Sequence, residues 1–190
     1  MSALDRSHRR QTRQERCIAV WSRLLRTLVI GYGNLDRSDD GVAHWVVNAL
    51  RRHLGLEALG EDSTGLETLG QTVDSVFLTQ LVPELVDVLT AYNLVIFVDA
   101  HVFQNAPDVR CAEVVPSLSQ PGFTHHMTPQ LLLALFGRLH HQELRASVVA
   151  VRGHHFDFGR SLSAATAALV EPAVRQIVNL LPASQGKLAR

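Results

Sequence analysis

The sequence has few cysteines and almost no lysine. Its 190 residues include two cysteines, Cys17 and Cys111, and a single lysine, Lys187. Two widely separated cysteines argue against a disulfide framework or a zinc ribbon, and they are typical of a protein from a reducing cytoplasm. We therefore expect a cytoplasmic protein.

Net charge and long apolar runs are also lacking. The 18 Lys and Arg residues balance 18 Asp and Glu residues, which gives no reason to expect a nucleic-acid partner. The apolar runs are too short to cross a bilayer, and no continuous apolar h-region indicates a secretory signal. With 46% hydrophobic residues, the chain can form one globular domain. We expect a monomer without a nucleic-acid or membrane partner.

Arginine is concentrated at the start of the chain. Residues 1–26 contain seven arginines, and two interpretations stay open: a solvated tail ending in a short helix, or an arm that docks on a partner. The folded domain is predicted over 27–181. Residues 182–190 form a polar tail.

Apolar runs alternate with helical patterns along residues 27–181. Strands are predicted near 27–32, 74–79, 94–100, 109–115 and 146–151, and helices near 40–54, 83–91, 130–139 and 163–181. Thr128 and Ser163 are predicted helix caps, and Pro129 a first helical residue. This alternation predicts a single α/β domain, with a twisted, mostly parallel sheet of about five strands and helices on both faces.

The most informative stretch follows the first predicted strand. Gly31 and Gly33 allow a sharp turn, and an acidic pair, Asp39 and Asp40, stands where the next helix begins. One aspartate could cap that helix. Capping accounts for one of the two carboxylates more easily than for both.

Other polar residues also stand near strand ends. Asp99 ends the third predicted strand, and His125 and His126 follow the fourth. Ligands of open α/β sheets bind beyond the carboxyl ends of the strands, so the topology could bring these residues to Asp39 or Asp40. Two carboxylates and an imidazole would suit a divalent metal. Each residue could also be an ordinary turn or loop residue.

Several other chemistries lack their motifs. The G-x-G after the first strand has no third glycine, and no acidic residue ends the second strand, which disfavours dinucleotide binding. No P-loop, G-x-S-x-G or H-E-x-x-H pattern is present. Cys111 lies inside a predicted strand, so no motif supports a covalent nucleophile.

Four blocks of the sequence together resemble the [NiFe]-hydrogenase maturation endopeptidases. They are GYGNLDRSDDG at 31–41, VIFVDA at 95–100, THHMTP at 124–129 and VRGHHFDFG at 151–159. The resemblance extends from about Thr27 to Leu181. Many members carry Asp-x-Gly-Thr after the second strand, whereas this chain has the neutral Gln80 there. That departure casts doubt on any mechanism that requires the missing aspartate.

The resemblance implies an endopeptidase that removes the C-terminal extension of a hydrogenase large-subunit precursor. It acts after nickel insertion, with the substrate's nickel as the recognition mark and no permanently bound metal. By alignment, the metal-contacting and catalytic residues fall on Asp40, Asp99 and His125. Asp39 competes with Asp40. His125 is preferred to His126 because the family's histidine precedes the residue aligned with Pro129 by four positions.

The mechanism that this resemblance favours is metal-assisted hydrolysis, in which one carboxylate acts as general base. An ordinary carboxylate has a pKa near about 4 and a histidine near about 6.5, so an acid limb near the latter would indicate His125. Two alternatives stay open: a non-catalytic assembly factor that reads the metal centre, and another hydrolase on a related α/β scaffold.

Overall fold

The computed structural model describes residues 25–119 and 127–182. His125 and His126 lie outside the described residues, as do residues 1–24 of the arginine-rich extension and residues 183–190 of the tail.

Five strands form one sheet in the order β2-β1-β3-β5-β4. They are β1 Thr27–Tyr32, β2 Val73–Leu78, β3 Leu94–His101, β4 Val109–Glu113 and β5 Arg145–Arg152. The first three and β5 are parallel, whereas β4 pairs antiparallel with β5 at the edge. The mostly parallel five-stranded sheet is confirmed. Apolar residues on both faces of β1 and β3 suit strands covered on both sides.

Helices cover both faces of the sheet. They are α1 Val42–His53, α2 Leu85–Leu89, α3 Pro129–His140, α4 Ala164–Ala167 and α5 Val170–Leu180. Helices α1 and α5 pack on the face that carries Val29 and Ile96, and α2 and α3 pack on the face that carries Ile30 and Phe97. Among the described residues, no helix combines the length and apolarity that a membrane span requires.

The predicted helix at 163–181 is two helices, α4 and α5. Pro172 lies in the first turn of α5, and its ring would clash with the carbonyl of Ala168 in a continuous helix. The break is therefore where Pro172 requires it. Ser163 caps α4 as predicted, because its Oγ accepts a hydrogen bond from the Thr166 N–H at 3.2 Å.

Helix α3 has the start that its sequence predicts. Thr128 Oγ1 accepts a hydrogen bond from the Leu131 N–H at 3.3 Å, and Pro129 is the first helical residue. Leu132 and Phe136 are buried against the sheet.

Replacing the cap should weaken the fold measurably. Thr128→Ala should lower the free energy of unfolding by about 0.5–2 kcal/mol, because it leaves a helix-end N–H without its acceptor. Urea denaturation measures this change. Thr90→Ala is the matched control, since the Thr90 hydroxyl only donates to the exposed Asp87 carbonyl. Equal destabilisation by both variants would contradict a specific capping role.

Candidate active site

Asp40 and Asp99 share one open pocket at the carboxyl edge of the sheet. The pocket has a volume of about 570 Å³, and its lining includes Tyr32, Arg37, Gln80 and Met127. The structure therefore places these two predicted site residues in the same pocket, and the metal-binding role predicted for them stays a prediction. Gln80, the residue that departs from the family pattern, lies in the same pocket.

Adjacent parallel strands and one glycine bring the two aspartates together. β1 and β3 are neighbours in which Gly31 pairs with Val98, so both chains leave the sheet side by side. Gly33 follows with φ +147°, and a Cβ there would lie 2.1 Å from the Asp40 carbonyl oxygen. Only glycine fits this approach, which turns the chain so that Asp40 reaches the pocket.

The Asp99 carboxylate is held on both oxygens. Its Oδ2 accepts from the Tyr32 hydroxyl at 2.7 Å, and its Oδ1 accepts from the Ala100 N–H at 2.8 Å. Burial and the negative charge of Asp40 raise the pKa of Asp99 to about 6, although the hydrogen bonds from Tyr32 and Ala100 favour its ionised form. Burial also raises the pKa of Tyr32, so its hydroxyl keeps the proton that it donates.

The raised pKa of Asp99 changes how a pH profile is interpreted. An ordinary carboxylate titrates near about 4. If both aspartates were ordinary, a loss of activity near pH 6 would have to come from a histidine. Here the pKa of Asp99 is about 6. An acid limb in that region therefore does not by itself indicate His125.

The two members of the acidic pair have different surroundings. Asp40 is half-buried at the pocket, and its Oδ2 accepts from the Asn34 N–H at 3.1 Å. Asp39 is fully buried and is absent from the pocket lining. It caps neither the 3₁₀ turn Ser38–Gly41, to which it belongs, nor α1. The interpretation of one aspartate as the cap of α1 is wrong, because α1 begins without a side-chain cap and both carboxylates accept hydrogen bonds elsewhere.

Asp39 instead binds the segment between β5 and α4. Its carboxylate accepts the backbone N–H groups of His154, His155 and Ser163 at 2.7–2.8 Å. The hydroxyls of Ser163 and Thr166 also donate to it, both at 2.7 Å. Burial opposes ionisation, but these hydrogen bonds outweigh it and lower the pKa of Asp39 to about 2. Asp39 is an internal structural anion.

The third predicted site residue, His125, lies outside the described residues. Within 25–119 and 127–182, no group of three His, Cys, Asp or Glu side chains forms a candidate metal site. The antiparallel β4 ends at the opposite edge of the sheet from β1 and β3, so following that strand does not by itself place a residue at the pocket. The chain nevertheless returns there, because Met127 lines the pocket.

Tyr32 and Arg37 also lie in the pocket, and sequence reasoning did not single them out. The signal for Tyr32 was its place at the end of β1, the strand that pairs with β3. Arg37 Nε and Nη2 contact the Phe156 carbonyl at 3.4 and 3.3 Å. His101, two residues beyond Asp99, does not line the pocket.

Asp39 should stabilise the fold above acidic pH. Its pKa of about 2 lies below the usual 3.8, so its stabilisation is complete above the unfolded pKa and is lost as pH falls through about 2. Asp39→Asn should lower the unfolding free energy at pH 7 by at least about 2 kcal/mol. It should also flatten the acid dependence. Denaturant titrations from pH 2 to 7 test both effects, and wild-type stability in the variant would contradict them.

Asp40 should raise the pKa of Asp99. In Asp40→Asn the like charge is removed, so the pKa of Asp99 should fall from about 6 towards the ordinary value. Carboxyl carbon NMR of the free protein measures this shift. Asp87→Asn is the control, because Asp87 contacts His140 at the far end of α3. No change in Asp40→Asn would disprove the coupling of the two carboxylates.

Comparison with solved structures gives consistent neighbours. The hydrogenase maturating endopeptidase HybD from E. coli has a TM-score of 0.60 at 23% identity, with 82% of this chain and 91% of that chain covered. The [NiFe] hydrogenase maturation protease HycI from Thermococcus kodakarensis KOD1 has a TM-score of 0.56 at 18% identity, with 83% and 96% covered.

A hydrogenase 2 maturation peptidase from a Thaumarchaeota archaeon has a TM-score of 0.53 at 19% identity, with 81% of this chain and 96% of that chain covered. No protein-family profile and no curated protein sequence matches the chain. The fold implied by the four sequence blocks is confirmed by these structures. The chain has the fold of the hydrogenase maturation endopeptidases.

Proposed function

We propose that this protein is an endopeptidase that removes the C-terminal extension of a [NiFe]-hydrogenase large-subunit precursor after nickel insertion. The observation that carries the proposal is that Asp40 and Asp99 line the same open pocket. The structural neighbours support it, because they are named as hydrogenase maturation peptidases. The four sequence blocks that resemble this family include both aspartates.

In this proposal, Asp40, Asp99 and His125 contact the nickel that the substrate carries. The bound ion would polarise the scissile carbonyl or lower the pKa of a water molecule. Hard carboxylate oxygens and an imidazole nitrogen form a suitable donor set for such an ion. The protein itself would hold no permanent metal, so nickel in the precursor would serve as the recognition mark.

Asp99 is the better placed of the two carboxylates to act as general base. A general base works best when its pKa is near the operating pH, and the pKa of Asp99 is raised to about 6. One oxygen of Asp99 would contact the nickel and the other would accept a proton from the attacking water, whereas Asp40 would act as a ligand alone. The described part of the pocket lining contains no serine or cysteine, and its one aliphatic hydroxyl is that of Thr79.

Arg37 and Gln80 would face the substrate peptide. Arg37 is the one basic side chain in the described pocket lining, and it would offset the negative charge of the two aspartates. Gln80 offers amide groups where many relatives have a carboxylate, so it would affect which precursor is accepted. The protein would act in the cytoplasm as a monomer, with the precursor as its partner.

Point variants test the proposed site. Asp40→Asn, Asp99→Asn and His125→Ala should each slow processing of nickel-loaded precursor by more than about 100-fold, because even outer partners of a metal contribute about 10–100-fold. Intact-mass spectrometry of the precursor over time measures the rate. Thermal unfolding should show that each variant remains folded.

His126→Ala is the matched control for the histidine assignment, and it should process at the wild-type rate. Loss of activity in His126→Ala but not in His125→Ala would move the site by one residue. Processing at the wild-type rate in Asp40→Asn or Asp99→Asn would remove that aspartate from the site. A wild-type protein that binds the precursor but leaves it at full length would instead be a non-catalytic assembly factor.

A further inference from the structure

The chain has two tyrosines, and both donate a hydrogen bond to an aspartate carboxylate. Tyr32 donates to Asp99 Oδ2 at 2.7 Å, and Tyr92 donates to Asp74 Oδ2 at 2.8 Å. The two pairs lie at opposite ends of the sheet, because Tyr32 ends β1 while Asp74 is near the start of β2. This internal comparison separates a structural Tyr–Asp contact from a functional one.

The Tyr92–Asp74 pair is a closed structural contact. Besides Tyr92, the Asp74 carboxylate accepts from the Arg26 guanidinium at 2.8 Å and from the N–H groups of Gly70 and Gln71 at 3.0 Å. A carboxylate has about four lone-pair sites. These donors therefore use its accepting capacity, and Asp74 has no open site for a ligand.

The Tyr32–Asp99 pair is open on the pocket side. Among the described residues, Asp99 receives two donors, the Tyr32 hydroxyl on Oδ2 and the Ala100 N–H on Oδ1. With about four lone-pair sites available, each oxygen keeps one. Asp40 lines the same pocket, so a ligand bound there can contact both carboxylates.

Strand pairing fixes the geometry of this contact. Ile30 pairs with Phe97 and Gly31 with Val98, so Tyr32 and Asp99 extend the same rows of side chains beyond the core. Ile30 and Phe97 are fully buried on the same face, and the partly buried Tyr32 packs against that core. The hydroxyl is thus held by packed strands, and it restricts rotation of the Asp99 side chain.

We propose that Tyr32 is a positioning residue that orients the Asp99 carboxylate towards the substrate's metal centre. This inference rests on the proposed function. A tyrosine suits the task because its neutral hydroxyl holds one oxygen and leaves the negative charge of the carboxylate in place. A guanidinium would neutralise that charge. Outer partners of this kind fix the direction of a metal-binding side chain and typically contribute about 10–100-fold to metal affinity or activity.

The test compares Tyr32→Phe with Tyr92→Phe. Each variant removes one hydroxyl and keeps the ring, so each deletes one Tyr–Asp hydrogen bond with little change in packing. For nickel-loaded precursor, Tyr32→Phe should lower kcat by about 10–100-fold with KM within about twofold of wild type. Tyr92→Phe should lower the thermal unfolding midpoint and leave kcat unchanged.

A second readout does not depend on peptidase activity. Calorimetric titration of the free protein with Ni²⁺ alone should show weak, reversible binding that Tyr32→Phe weakens by about tenfold or more and Tyr92→Phe leaves unchanged. This titration also tests the role of Tyr32 if Tyr32→Phe processes the precursor too slowly for kcat to be measured.

Several results would overturn the inference. Wild-type kcat and Ni²⁺ affinity in Tyr32→Phe would do so, as would equal losses of kcat in both variants, since these would reflect stability alone. A raised KM at constant kcat would make Tyr32 a substrate-docking residue instead. If wild-type protein leaves nickel-loaded precursor uncut, the proposed function fails, and Ni²⁺ binding alone decides the role of Tyr32. Wild-type protein that binds no Ni²⁺ would then overturn that role too.

Discussion

The buried carboxylate of Asp39 joins the parts of the chain that surround the pocket. Three backbone N–H groups and two hydroxyls from the segment after β5 donate to it. In that segment the Gly153 N–H donates to the His101 carbonyl, and Gly159 donates to the Asp36 carbonyl and accepts from the Ser38 N–H. The loop that follows β1 is therefore connected to the end of β3. The position of Asp40 beside Asp99 depends on this arrangement.

Two adjacent aspartates thus have separate tasks. Surrounding donors keep Asp39 ionised, with a pKa of about 2. Burial raises the pKa of Asp99, which shares the pocket with Asp40, to about 6. A carboxylate whose donors are all internal stabilises structure, and one with free acceptor sites can bind a ligand. Asp40 accepts one backbone hydrogen bond, so it belongs to the second kind. The chain uses the same residue type for both purposes by changing the number of donors.

Local sequence patterns predicted most of the fold. The apolar runs that form β1, β3 and β5 and the Thr128-Pro129 start of α3 depend on near neighbours, so the sequence contains their signals. The antiparallel direction of β4 depends on pairing with β5 across the sheet, and no local pattern encodes it. Asp39 and Asp40 are chemically identical in sequence. Their roles differ because Asp39 has hydrogen-bond partners more than 100 positions away in the sequence. The pKa of Asp99 is likewise set by burial in the folded chain, which no local pattern encodes.

The proposed function is that this pocket cuts a precursor that carries nickel. The most direct test is intact-mass spectrometry of a [NiFe]-hydrogenase large-subunit precursor co-expressed with this chain, in medium with and without nickel. We expect a shortened large subunit when nickel is supplied and a full-length precursor when nickel is withheld. A full-length precursor in the presence of nickel would contradict the peptidase function. Shortening without nickel would contradict nickel as the recognition mark.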